Sequence, residues 1–196
     1  MMSERIYLNN DWKFAEQFEA SMTEAAYDDS VMQNVRLPHT CKETPLHYFD
    51  EHCYQMVSGY RRVIEAEEAW KGKKILLTID GAAHDSEVFL NGEKVGEHHC
   101  GYTAFTMDIS GVLRYGEKNI LVVKVDSRED LNIPPFGYVI DYMTYGGIYR
   151  DVYLDIKNKD YIEDIFIRTN IGQMDDQNAE LISEVTVQRT QEGLFL

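Results

Sequence analysis

The chain has 196 residues and a formal net charge of −15, with 44% hydrophobic, 27% charged and 12% aromatic side chains. That length suits one domain of ordinary size plus part of a second, with enough apolar material to bury a core without staples. Nineteen basic against thirty-four acidic side chains repel phosphate backbones and anionic lipid headgroups, which argues against nucleic acid or membrane partners.

Cys41, Cys53 and Cys100 are odd in number and follow no CxxC spacing, so a disulfide framework is not expected and a reducing, cytoplasmic setting is. The opening Met1 to Leu8 reaches Asn9-Asn10-Asp11 without an apolar core of the kind a secretory leader carries. No run approaches 18 consecutive apolar residues, so no spanning segment is expected.

In chain order, Glu16 to Met32 is rich in Glu, Ala and Met but contains Asp28-Asp29-Ser30, and reads as a loop with room for one helical turn. After residue 55 the pattern is that of strands. Lys74 to Asp80 is a buried-strand run ended by Gly81. Ser86 to Leu90 and Glu93 to Glu97 flank Asn91-Gly92, the strongest short-range hairpin signal, since both central residues of a type I′ turn need positive φ. Phe105 to Ile109 alternates, Asn119 to Val125 reads as a core strand, and Asp151 to Ile156 places Val152, Leu154 and Ile156 on one face. Turn residues punctuate these runs and no long helix separates them, which predicts an all-β antiparallel sandwich or jelly roll. Asn158-Lys159-Asp160 reads as a domain joint. Beyond it, Ile162 to Thr169 and Ala179 to Val187 are two further strands with a polar hairpin loop at Gly172 to Asn178.

Several of these segments together resemble the N-terminal domain of family 2 glycoside hydrolases, the group of β-galactosidases, β-glucuronidases and β-mannosidases. Asn10 to Phe14 resembles the family's opening strand, and Val35 to Thr40 its entry loop. Gly59-Tyr60-Arg61-Arg62 is similar to the strand that follows. Asp80 to Ala83 through Val88 to Gly92 is similar to the central hairpin, and His99 to Phe105 with Asp108-Ile109-Ser110 to the next segment. Tyr145-Gly146-Gly147-Ile148-Tyr149-Arg150-Asp151-Val152 is the most specific box. Met32 and Cys41 stand where the family usually shows Trp, and Ile64 replaces a common aromatic; these departures concern packing.

The resemblance implies a galactose-binding-like jelly-roll β-sandwich over residues 1–158, and the start of an immunoglobulin-like β-sandwich, truncated, over 159–196. It implies a parent enzyme that hydrolyses terminal β-glycosidic bonds with retention, β-galactosidase being the first reading, and a carbohydrate partner. In that family two glutamates on a β/α barrel do the chemistry, and such a barrel takes about 250 residues. Thirty-seven residues follow Lys159, so no catalytic residue is nominated, and the chain by itself is expected to be inactive and to pack on its own barrel. The family also sends one aspartate from this domain toward the sugar, at the position of Asp141. Read without the family, Asp141 would be a solvated loop acid. Tyr138 and Tyr142 flank it beyond the rigid Pro134-Pro135-Phe136-Gly137 stretch and join it as candidate substrate-binding residues, although packing against a neighbouring domain is the favoured reading of such side chains.

Other constellations carry less. His98-His99-Cys100 alternates faces on a strand, so these side chains read as structural and no metal is expected. Arg150 reads as a structural side chain pairing with a carboxylate or a carbonyl. No phosphate cradle or nucleophile–base order is visible, and no cofactor is expected. Two rival readings are a stand-alone carbohydrate-binding module and a scaffold domain without ligand. Whether the chain forms a homo-oligomer is left open.

Overall fold

The computed structural model describes residues 4–43, 47, 50–136, 144–171 and 179–189. Twelve strands are found among them: β1 Glu4–Tyr7, β2 Trp12–Ala15, β3 Gln33–Val35, β4 Val57–Glu65, β5 Lys74–Ile79, β6 Asp85–Leu90, β7 Glu93–His99, β8 Phe105–Asp108, β9 Lys118–Asp126, β10 Val152–Lys157, β11 Tyr161–Ile171 and β12 Ala179–Gln188. Helical structure in the described residues is confined to 3₁₀ turns, at Ala20–Thr23, Asp29–Val31, Glu51–Tyr54 and Glu68–Trp70. No helix among them is long and apolar enough to cross a membrane.

Every pairing is antiparallel. One sheet runs β1-β10-β5-β8, a larger one β3-β2-β4-β9-β6-β7, and among the described residues β11 pairs only with β12. The all-β sandwich expected from the sequence is the observed fold. A single apolar cluster fills the space between the first two sheets: Ile75, Leu77, Ile79, Val152, Leu154 and Ile156 from the smaller meet Trp12, Tyr60, Val88, Leu90, Leu121 and Val123 from the larger. The period-two reading of β10 holds, since Val152, Leu154 and Ile156 all face this core. Trp12 is fully buried and its indole N–H donates to the Leu8 carbonyl at 2.5 Å, so its polar atom is satisfied.

The larger sheet is covered on its other face as well. Val122 alternates with Leu121 and Val123 and so points away from the main core, into a second cluster with Met22 and Met32, backed by Phe18, Tyr27 and Phe89. The 16–32 segment is therefore a cover for the sheet, with two 3₁₀ turns where one helical turn was expected. Arg61 fastens it. This side chain is 3% exposed; Nε donates to the Met22 carbonyl at 3.2 Å, one Nη to the Glu24 carbonyl at 3.3 Å, and the other pairs with Asp29. A buried guanidinium is tolerable only when its N–H groups are satisfied in this way.

Asn91 and Gly92 both take positive φ (54° and 88°), and the hairpin they close joins β6 to β7. Asn91 does more than turn: Oδ1 accepts from the Ile120 N–H at 3.0 Å, and Nδ2 donates to the Val112 carbonyl at 3.2 Å and to Asn119 Oδ1 at 2.8 Å. Asn119, fully buried, also accepts from the Arg114 N–H and donates to the Arg114 and Glu117 carbonyls, at 2.8, 2.9 and 3.1 Å. Asn119→Ala leaves several buried partners unmade, and it should lower unfolding free energy by about 2–4 kcal/mol, as measured by urea denaturation; a change within 0.5 kcal/mol of zero, roughly the range of a surface substitution, would contradict the network.

Gly146 and Gly147 sit where three stretches of backbone converge. Gly147 bridges Ala83 in both directions (3.0 and 3.2 Å), while Cys41 N–H donates to the Gly146 carbonyl at 2.9 Å and His39 N–H to the Ile148 carbonyl at 2.8 Å. Gly147 has φ of 109°, and a Cβ there would stand 2.6 Å from Tyr60 Oη and 2.8 Å from the His39 carbonyl oxygen. Gly147→Ala combines a disfavoured backbone with a clash against main chain, and should cost about 2–4 kcal/mol, readable as a drop in Tm; an unchanged Tm would show that the convergence is looser than described.

Candidate functional site

The convergence at Gly147 shapes a cleft of about 250 Å³ lined by Ala83, His84, Gly101, Tyr102, Pro135, Thr144, Tyr145, Tyr149 and Arg150. Five separate stretches of chain supply it, and backbone bonds hold them in place. The Gly101 N–H donates to the Pro134 carbonyl at 2.9 Å, and Tyr149 Oη donates to the Gly101 carbonyl at 2.5 Å. Arg150 donates to the Tyr102 carbonyl at 3.2 Å and lies over the Tyr149 ring at 5.3 Å. Its structural reading from sequence is thus the observed one, with carbonyl oxygens as partners.

His84 immediately precedes β6 and is 2% exposed. Its backbone N–H donates to the Asp126 carbonyl at 2.9 Å, and its Nδ1 lies 3.3 Å from the Arg128 carbonyl oxygen. A carbonyl can only accept, so Nδ1 carries the hydrogen. The Arg128 main chain is itself fixed by Asp126, whose carboxylate accepts from the Arg128 N–H at 3.1 Å and Nε at 2.9 Å. Burial pushes the His84 pKa below its ordinary value, against the opposing pull of the Arg128 carbonyl, Glu129 and Asp126, so the ring is neutral at pH 7. Among the described residues, Nε2 then has a lone pair and no hydrogen-bond partner. Thr144, 7% exposed, likewise has a buried Oγ1 without a hydrogen bond. Ser86 Oγ and Gln55 Nε2 share that condition, but only His84 and Thr144 line the cleft.

The remaining lining is aromatic and cationic. Tyr145 is 49% exposed and Tyr102 42%, so two tyrosines offer ring surface beside the Arg150 guanidinium. Rings of this kind present an apolar face with a polar edge, the surface a sugar uses. Among the described residues, no carboxylate is in the lining. What the described lining offers is binding and orientation: ring faces, an imidazole nitrogen, a hydroxyl and a guanidinium. A second cleft, of about 260 Å³, shares His84 but is lined by Asp85, Asp126, Glu129 and Asp130 with Arg128 and Ile133.

Asp141, Tyr142 and Tyr138, the substrate-binding residues implied by the family resemblance, lie outside the described residues. The described cleft borders that stretch through Pro135 on one side and Thr144 on the other. His98 stacks on Phe105 with ring centroids 4.5 Å apart and shares a hydrogen bond with Thr103, while His99 Nδ1 pairs with Asp85 at 2.7 Å. Each has a local structural partner, and among the described residues no three His, Cys, Asp or Glu side chains gather as a metal site. His84 and Thr144 were not nominated from sequence. Neither sits in a recognisable motif, and only the meeting of residues 83–84, 101–102 and 144–150 brings them together.

Comparison with known proteins places the chain. The model of "Glycosyl hydrolases family 2, sugar binding domain" matches residues 7–158. A β-galactosidase of Thermoanaerobacter pseudethanolicus is 39% identical over 93% of this chain and 24% of its own length. A β-galactosidase of Thermoanaerobacterium thermosulfurigenes is 41% identical over 86% of this chain, again 24% of its own length. The crystal structure of a Bacteroides uniformis β-glucuronidase superposes with a TM-score of 0.77 at 31% identity, over 86% of this chain and 20% of that one. The chain thus spans about a quarter of the length of the curated relatives it matches. With the fold, the motif order and these matches in agreement, the chain belongs to family 2 of the glycosyl hydrolases, and its residues 7–158 match that family's sugar binding domain.

Proposed function

We propose that the chain is the sugar-binding front end of a retaining β-glycosidase, with β-galactosidase as its activity. The observation that carries this is the 39–41% identity to two β-galactosidases across most of the chain, against a quarter of their length. Retaining hydrolysis needs two carboxyl groups facing each other across the scissile bond, about 5–5.5 Å apart. We place that pair outside these 196 residues, which leaves this chain without hydrolytic activity of its own. Its part is to form one wall of the sugar pocket and to pack on the barrel that holds the acids.

Within this reading, residues 1–158 form the sugar-binding jelly roll and 159–196 begin an immunoglobulin-like sandwich. The ribbon of β11 and β12 supports the division: it exposes Ile162, Ile165, Phe166, Ile167, Leu181 and Val185, more apolar surface than a two-stranded sheet can shield in water. Asp141 contacts sugar hydroxyls, where a carboxylate accepts strong charge-assisted bonds, and Tyr142 and Tyr138 flank it. The three unpaired cysteines fit a reducing cytoplasm.

In the product of the reading frame extended to the length of the relatives, an aryl β-galactoside should be cleaved well ahead of the matching β-glucuronide. Asp141→Ala in that enzyme should lower kcat/KM roughly 10- to 100-fold, the worth of one or two charge-assisted bonds. A preference for the glucuronide would overturn the galactosidase reading, and an unchanged kcat/KM would remove Asp141 from the site.

A further inference from the structure

Two buried polar atoms in one cleft lack partners, and each such atom costs folding free energy that an apolar side chain of similar size would not. A histidine kept only for packing would gain nothing from a naked Nε2. Its tautomer is also set from outside the cleft, because Nδ1–H is committed to the Arg128 carbonyl. What Nε2 offers is therefore a lone pair and nothing else, and it can be satisfied only by a group that donates. Thr144 Oγ1 can donate or accept. Around these atoms stand Tyr102, Tyr145 and Tyr149 and the Arg150 guanidinium. At about 250 Å³ the cleft lies just under the usual range of small-ligand pockets, roughly 300–1,000 Å³, which is room for one pyranose ring.

The residue at 101 bears on access. A Cβ at Gly101 would stand 3.4 Å from His84 Cδ2, the carbon bonded to Nε2, and 3.2 Å from the Pro134 carbonyl oxygen. Glycine here keeps that edge of the imidazole free of a side chain.

We propose that His84 and Thr144 form a hydroxyl-reading pair for a neutral sugar: a sugar hydroxyl donates to His84 Nε2, and Thr144 Oγ1 engages a second hydroxyl of the same ring. The inference rests on the reading of this chain as a sugar-binding domain and names residues for it. It also gives the cleft a preference. A carboxylate has no hydrogen to donate, so a uronate group cannot take the place of the hydroxyl at Nε2, and a neutral hexoside fits where an acidic group would be repelled by the lone pair.

The test uses the 196-residue chain labelled with ¹⁵N and titrated with methyl β-D-galactopyranoside, following the imidazole nitrogens directly. The expected result is a saturable shift of His84 Nε2, with Nδ1 nearly still. His84→Leu and Thr144→Val should each weaken binding about tenfold, the worth of one hydrogen bond. His84→Gln, which keeps an acceptor near Nε2, and Thr144→Ser should recover most of the loss. Saturable binding that leaves Nε2 unmoved, or that survives His84→Leu and Thr144→Val unchanged, would overturn the pair. So would the absence of any galactoside response in the wild-type chain. Neither failure touches the glycosidase reading, which stands or falls on aryl β-galactoside cleavage by the extended enzyme.

Discussion

The approach of main chain to main chain at Gly146–Gly147 is the constraint on which the rest of the molecule hangs. A Cβ on Gly146 would lie 2.3 Å from the Ser127 Cβ and 2.8 Å from the Cys41 sulfur, distances that no rearrangement of one side chain relieves. In exchange for two side chains, the segment leading into β10 comes close enough to bond with residues 39–41 on one side and Ala83 on the other. Those bonds tie the entry to the smaller sheet against loops of the larger one, and they set where Thr144, Tyr145, Tyr149 and Arg150 stand relative to His84. The cleft is a by-product of that closure. Tyr60 reports how dry the convergence is: its Oη shares a 2.8 Å hydrogen bond with His39 Nδ1, and burial drives the phenol pKa far up and the imidazole pKa down, so both stay neutral.

Strand placement was legible because period and turn chemistry agree with tertiary burial. The alternation of β10, the continuous apolar run of β9 and the Asn91-Gly92 turn each point to the element that forms, and the ends shift by only a residue or two. β9 shows why its run is continuous rather than alternating: Leu121 and Val123 serve the main core while Val122 serves the second cluster beneath the 16–32 segment. That segment reads as a loop from sequence because its local composition has no clear period. Its order comes from outside itself, from Met22 and Met32 on the sheet and from Arg61, which sits on β4 far away in sequence. The family departures at Met32, Cys41 and Ile64 are all buried, so smaller or differently shaped side chains fill those sites without opening them to solvent.

The site was less legible than the fold, for a physical reason. Motifs reveal residues whose chemistry needs neighbours in sequence, such as a glycine pair at a turn. The cleft instead gathers residues 83–84, 101–102, 135, 144–145 and 149–150, and the meaning of two of them lies in what they lack. An unsatisfied Nε2 is invisible until the Arg128 carbonyl is seen to hold the other nitrogen. His84 in the sequence is one residue of a hairpin approach; in the fold it is an acceptor held at a fixed place. Asp141, Tyr142 and Tyr138, which the family resemblance implies, lie outside the described residues.

The distribution of charge agrees with the proposed division between a domain that binds and acids that stand elsewhere. Of the thirty-four acids, many are committed at the surface: Asp155 to Arg5, Glu87 to Lys94 and Lys124, Asp108 to Lys74. Exposed pairs of this kind add little stability, and their main effect here is to satisfy carboxylates away from the cleft. Its described lining offers an imidazole lone pair, a hydroxyl and tyrosine rings, with one guanidinium already engaged by backbone carbonyls. Neutral groups suit hydroxyl recognition because they pay no ionic desolvation when a ligand covers them. A hydrolytic carboxylate has the opposite need, since its partner must be held at a shifted pKa by close charge. In the proposed enzyme, two environments on separate domains could each be tuned without disturbing the other.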